Sequence, residues 1–234
     1  MKFSRGLAAL IFIIFFQNIV LADEYLYKDE VLHNPNFRIT INKLGKELFD
    51  KTDIKLILVS IKQFKGYKNI FEYEKDLIKK FDKPTILLTF SELDKKVDIY
   101  ASDKSLYKYF DRNQVLSPAA SPMQAFAIAV TNANSFSTFF AMLSDYGGTI
   151  LPLIGLKAKE ETLGKYTAAL YNGYVDIAEQ VAKSKGVTLE HEAGNSNKLT
   201  ILALKIFFYG FIIYAIIQYV RRVIYRRQHP NEFK

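Results

Sequence analysis

The sequence predicts an α/β protein: a three-layer α/β/α sandwich around a small mixed sheet, carried on one C-terminal transmembrane helix. Three observations lead there. Residues 200–220 form an apolar run broken only by Lys205 and Gln218, followed at once by Arg221, Arg222, Arg226 and Arg227. At about 1.5 Å per residue, a helix of that run matches the roughly 30 Å hydrocarbon core of a bilayer. Leu56–Ile57–Leu58–Val59 and Ile86–Leu87–Leu88 are continuously apolar, as strands covered on both faces are. Around them, residues 37–49, 69–81 and 163–181 repeat their apolar positions at three and four, the period of helices with one buried face.

The two ends set the expected topology. Lys2 and Arg5, the apolar core 6–16 and Val20–Leu21–Ala22 follow the layout of a secretory signal occupying residues 1–22. An uncleaved anchor is the alternative, and both readings export the segment that follows. The arginines after the span predict a cytoplasmic tail at 221–234, by the excess of basic residues on the cytoplasmic side. Lys205, a turn inside the other end, can extend its stem to the interface. The expectation is a single-pass inner-membrane protein with a periplasmic domain over 23–192 and a short linker at 193–199. Most of the formal charge of +8 belongs to this topology. The signal carries two positive charges, Lys205 one and the tail a net four, which leaves residues 23–199 at +1. A nearly neutral domain gives nucleic acid no electrostatic footprint. The chain has no Cys, which excludes disulfides, iron–sulfur clusters and thiol catalysis.

Within the domain, His33–Asn34–Pro35–Asn36 reads as a turn ahead of a helix over 37–49, with Phe37, Ile41, Leu44 and Leu48 inward and a break at 51–53. Lys55 to Ile61 reads as a strand. Residues 69–81 form a second helix with Ile70, Tyr73, Leu77 and Phe81 inward. Pro84 opens a strand at 85–90; the polar turn 92–95 leads into a half-exposed strand in which Val97, Ile99 and Ala101 alternate with polar residues, so these two strands form a hairpin. A short helix follows at 103–110. Residues 149–156 and 187–192 are expected as further short strands. The clearest helix places Leu163, Tyr166, Leu170, Tyr174, Ile177 and Val181 on one stripe and ends at Gly186.

Between Arg112 and Asp145 there is no charged residue. A second transmembrane helix there would place the final arginines outside, and its polar centre (Asn132, Asn134, Ser135, Ser137, Thr138) is costly in hydrocarbon. Two readings remain: ordinary core helices, or an insertion at about 113–148 that touches the membrane or a partner through Phe126, Phe136, Phe139 and Phe140.

The order helix, strand, helix, hairpin, short helix, long helix resembles the TPM domain family over about residues 29–186. Asp29 and Leu32 look like the family's opening acidic residue and leucine. Residues 56–61 look like its first strand, 86–90 with 96–101 like its hairpin, and Pro152 with Gly164–Lys165–Tyr166 like its closing motif. The resemblance implies an exported α/β/α domain beside a membrane, associated with divalent-cation binding, acid phosphatase activity in some members and upkeep of membrane complexes in others. It places Asp29 and Asp111 at two acidic positions of a Ca2+ or Mg2+ site. Lys165 stands where the family commonly has an acidic residue, and the glycines that usually follow the hairpin are missing after Ile99.

No other constellation in the sequence names a reaction. His33, His191 and His229 have no metal-ligand spacing, and G-x-S-x-G, glycine-rich phosphate loops and H-E-x-x-H are absent. Glu190–His191–Glu192, and Asn172 with Asp176, read as solvated faces; Ser102–Asp103 reads as a helix N-cap. The expected function is therefore binding: a module for assembly, stabilisation or quality control of a membrane protein complex, without a resident cofactor, whose partners are the inner membrane and another membrane protein. A divalent-cation-dependent acid phosphatase and a structural spacer are the alternatives.

Overall fold

The computed structural model describes residues 24–156, 162–190 and 195–228, with side chains from residue 206 onward in the last segment. The expected signal 1–22, His191, His229 and the final residues of the tail lie outside the described residues. The chain divides into two units, Met1–His191 and Glu192–Lys234.

The first unit is built on a four-stranded mixed sheet in the order β1–β2–β3–β4: β1 Leu26–Asp29, β2 Lys55–Ile61, β3 Thr85–Ser91 and β4 Lys96–Ala101. β1–β2 and β2–β3 are parallel, and β3–β4 is the antiparallel hairpin expected from the alternation. Parallel neighbours require crossovers, and these are helices α1 (Pro35–Thr52) and α2 (Ile70–Leu77). α1 starts where Asn34 accepts from the Phe37 amide and Pro35 fits the first turn; it stops at Asp53, in the left-handed region at φ 56°. The long helix α7 (Thr162–Ser184) closes the domain.

The period of two along the strands sorts the layers. Leu56, Leu58, Leu88 and Phe90 point one way, and α7 meets them there. The Tyr174 hydroxyl donates to the Leu56 carbonyl at 2.7 Å, and the Phe90 and Tyr166 rings lie 4.9 Å apart. α1 packs beside α7 on β2. Thr89 and Tyr100 point the other way, where α2 places Glu74 beside Thr89 and Phe71 at 5.4 Å from the Tyr100 ring. Helices therefore cover both faces of the sheet. β3 is buried from end to end and β2 from Leu56 onward, as their apolar runs require.

Several elements differ from the expectation. Residues 26–29, for which the sequence predicts no element, form β1, whose entry is fixed by the Asn42 side chain accepting from the Tyr25 and Leu26 amides. Residues 149–156 are not a strand but the helical turn α6 (Leu151–Ile154). Residues 187–190 are not a strand either; the Val187 amide caps α7 by donating to the Ala182 carbonyl. On α7, Leu163 is exposed, while Leu170, Tyr174, Ile177 and Val181 are buried as expected. On α2, Glu74 is fully buried with Leu77, whereas Ile70 and Tyr73 are half-buried; the expected helix ends at Leu77, and Phe81, half-buried, follows a 3-10 turn at Ile78–Lys80.

The second unit is one helix, α8 (Asn195–Gln228). Its segment Ile206–Gln228 is long and apolar enough to cross a membrane, and its described apolar side chains are exposed except for the half-buried Val223. Lys205 lies just ahead of that segment, and Arg221, Arg222, Arg226 and Arg227 end it. Residues 195–199, expected as linker, are already helical, and the helix continues through residues 221–228 of the expected tail.

Candidate functional site

The uncharged stretch folds as a helical hairpin, α4 (Pro122–Asn132) followed by α5 (Phe136–Ser144), reached through the short helix α3 (Arg112–Val115). Its start signals are local. Ser121 and Ser135 cap the two helices by accepting from the Gln124 and Thr138 amides, and Pro122 occupies the first turn of α4. The helices pack on each other, and Ala125 and Ala129 of α4 are buried. Their larger apolar side chains turn outward: Met123 is 75% exposed, Val130 60%, Phe136 81% and Phe140 52%. Phe126 is also exposed, whereas Phe139 is half-buried. The rings form one chain of edge contacts, Phe126–Phe139 at 6.3 Å, Phe139–Phe140 at 5.6 Å and Phe136–Phe140 at 4.8 Å. Of the two readings of this stretch, core helices and a contact surface, the outward aromatics fit the second.

The hairpin's base is clamped to α7. Asp176 accepts from Thr149 Oγ1 and Gln114 Nε2, both at 3.2 Å, and from Gln180 Nε2 at 2.9 Å. Gln180 Nε2 also donates to Gln114 Oε1 at 2.7 Å, and the Asp111 amide donates to Gln180 Oε1 at 2.8 Å. Gln114 Nε2 reaches the Gly147 carbonyl as well. Ile150 fills the space over Gly173, where a Cβ would overlap it. Gly148 lies so close to Ser117 that a Cβ there would come within 2.7 Å of the Ser117 carbonyl carbon and nearer still to its oxygen. Asp176, expected on a solvated face, thus joins α7 to both ends of the insertion; Asn172 is exposed, as expected. Only the spacing of α7, which puts Asp176 and Gln180 one turn apart on its flank, hinted at this in the sequence.

The acidic pair implied by the family resemblance does not converge. Asp29, at the end of β1, accepts from the Val31, Leu32 and His33 amides at 3.3, 2.8 and 2.9 Å. Asp111 caps α3 by accepting from the Gln114 amide at 3.0 Å. The two lie in separate depressions, Asp29 with Glu30, His33 and Lys62, and Asp111 with Arg112, Asn113 and Gln180. Among the described residues, no three of His, Cys, Asp or Glu come together as a metal-ligand group. Carboxylates spent on backbone amides and set apart do not fit the six to eight oxygens of a calcium ion. Lys165 donates to the Leu156 carbonyl at 3.0 Å and lies over the Tyr166 ring. Asp103 accepts from the Ser105 amide at 2.7 Å, the expected N-cap of the 3-10 turn Lys104–Tyr109.

A groove of about 1350 Å³ runs along β4, lined by Phe71, Asp98, Tyr100, Tyr107, Arg112 and Lys183 among others. β4 is an edge strand, and side chains occupy its outer backbone groups at Ile99 and at the Ala101 amide. Arg112 Nε donates to the Ile99 carbonyl at 3.0 Å, the Tyr107 hydroxyl reaches the same carbonyl at 3.4 Å and accepts from the Ala101 amide at 3.1 Å, and Asp98 Oδ1 accepts from the Ile99 amide at 2.7 Å. An edge occupied at these groups is a poor template for an added strand. Behind it, Arg112 pairs with Asp98, and Glu74 lies fully buried with neither carboxyl oxygen hydrogen-bonded among the described residues. Burial, with the neighbouring Asp98 charge, pushes the Glu74 pKa up to about 8, against the opposing pull of Thr89 and Arg112.

No protein-family model matches this chain, and no curated protein matches it in sequence.

Proposed function

We propose that this chain is a single-pass, membrane-anchored, TPM-like domain that faces the periplasm and acts by binding, as an assembly or quality-control module for a membrane protein complex. The observation that carries this reading is the aromatic face of the α4–α5 hairpin, in a chain whose other unit is an apolar helix of spanning length. Exposed apolar surface of this kind marks contact sites. The clamp through Asp176 and Gln180 supports it, because a contact surface must be held rigidly to the domain it serves. The order of the elements and the arginines after the span support the family likeness and the orientation. The dispersed acids give the phosphatase alternative no support.

The test is gentle crosslinking of the full chain in its native membrane, followed by co-purification. The expected result is one membrane protein enriched with the chain, and reduced crosslinks when Phe136, Phe139 and Phe140 are all changed to Ser. Recovery of the chain with no specific partner contradicts the reading.

A further inference from the structure

The hairpin's polar groups say what kind of surface it meets. The geometry points to the aromatic face of α4 and α5 lying in the lipid bilayer itself, at the boundary of headgroups and acyl chains. This inference rests on the proposed role of the hairpin as a contact, and assigns that contact to lipid.

Every polar side chain from Ser121 to Ser144 already has a hydrogen bond inside the hairpin or its lead-in. Thr131 Oγ1 donates to the Ala127 and Ile128 carbonyls, and Asn132 Nδ2 to the Ile128 carbonyl at 3.0 Å. Thr138 Oγ1 donates to Asn134 Oδ1 at 3.2 Å. Ser135 is bonded to Ser137 and Thr138 at 3.1 and 2.6 Å. Ser144 Oγ turns back on the Phe140 and Ala141 carbonyls. Ser121 accepts from the Gln124 amide, and Gln124 Oε1 from the Ala120 amide at 2.8 Å. With both helix starts capped, the hairpin presents apolar carbon and uncharged polar side chains, each engaged in at least one hydrogen bond.

That pattern separates two occupants. A protein partner is usually met by an apolar centre within a polar, often charged rim. Hydrocarbon offers no hydrogen bonds, so each polar group immersed in it must be satisfied internally or cost several kcal/mol. The hairpin carries no Lys, Arg, Asp or Glu, and its exposed hydroxyl and amide side chains, Asn132, Asn134 and Ser137 among them, each make at least one hydrogen bond within it. Uncharged polar groups beside apolar carbon suit the headgroup and acyl boundary, and the charged rim of the first is lacking. The bilayer is also the surface nearest by sequence, since the apolar segment beginning at Ile206 follows the domain's last residue, His191, after a short stretch. An amphipathic element in the interface buries its apolar face about 5–10 Å into the headgroup and acyl boundary.

The chain contains no Cys, so single labels are clean. Phe136→Cys and Val130→Cys, both at strongly exposed positions, are each labelled with bimane in the full chain, with Lys68→Cys as an exposed position outside the hairpin. The labelled chains are reconstituted in phosphatidylcholine vesicles with or without acyl-brominated lipid, and parallel samples are prepared in native membrane vesicles. Circular dichroism confirms that each variant is folded. The expected result in the lipid-only vesicles is loss of more than half the emission at 130 and 136 with brominated lipid, protection of both from aqueous iodide, and the reverse at 68. Labels at 130 and 136 open to iodide in lipid-only vesicles but shielded in native membranes would assign the face to a protein partner. That outcome overturns this inference and leaves the proposed function standing. Labels open to iodide in both would overturn the two together.

Discussion

Glu74→Gln is expected to remove a pH dependence of stability on the order of 4 kcal/mol. The carboxyl is fully buried on α2, without a hydrogen bond among the described residues, and faces Asp98 on β4. Its pKa in the folded chain is raised from 4.5 to about 8. The folded state therefore holds a proton that the unfolded state has released whenever the pH lies between those two values. The penalty is absent below the unfolded pKa, grows with rising pH through the window and levels off near pH 8. Denaturant unfolding of the full chain in detergent micelles at pH 5 and pH 8 measures it. The wild type should lose stability across that interval and Glu74→Gln should lose much less, becoming the more stable of the two at pH 8. Equal slopes would mean that Glu74 is ionised in the folded protein. The Asp98–Arg112 pair beside it also closes the outer edge of β4, so the protonation of Glu74 is tied to the integrity of that edge.

Gly148→Ala is expected to cost about 3 kcal/mol, the upper range for forcing a carbon into a packed site. What it would strike is the Ser117 carbonyl, a backbone group that cannot rotate aside as a side-chain end can. Relief requires parting the two strands of chain that lead into and out of the hairpin, where the Gly148 amide donates to the Ala119 carbonyl at 2.9 Å. The same denaturation measurement gives the loss, and limited proteolysis should show cleavage within residues 113–148 at protease levels that leave the wild type intact. Unchanged stability and unchanged cleavage would mean that the hairpin base is not packed as described.

How far the sequence foretold the structure depends on what each element answers to. β2, the β3–β4 hairpin, α1 and α7 were legible because each buries a whole face, and burial imposes its period on the residues. β1 was not: in four residues, two of them Lys28 and Asp29, no alternation can register, and the strand is held in place by Asn42 on a neighbouring helix. Residues 149–156 contain the β-favouring Thr149 and Ile150, yet fold as a helical turn because Ile150 is needed over Gly173. Glu74 defeated the pattern outright, since a carboxylate is ordinarily excluded from an inner face. At the candidate site, the lack of charge and the four phenylalanines marked the hairpin, and three of the four are exposed; Phe139 instead bridges Phe126 and Phe140. The clamp at Asp176 left only the spacing of Asp176 and Gln180 as a trace, because its partners Gln114 and Thr149 are 62 and 27 residues away. The dispersal of Asp29 and Asp111 was hidden likewise, because both owe their places to local caps rather than to a shared ligand.

The aromatic face of the hairpin is proposed to be a contact surface and not core. The most direct measurement compares the full chain with Phe136, Phe139 and Phe140 all changed to Ser, reading thermal unfolding and native-membrane crosslinking from the same preparations. Two of these side chains are largely exposed and the third only half-buried, so the melting temperature should move by no more than a few degrees. Crosslinks to membrane components should fall sharply. A collapse of the melting transition, or a variant that crosslinks as the wild type does, would contradict the claim.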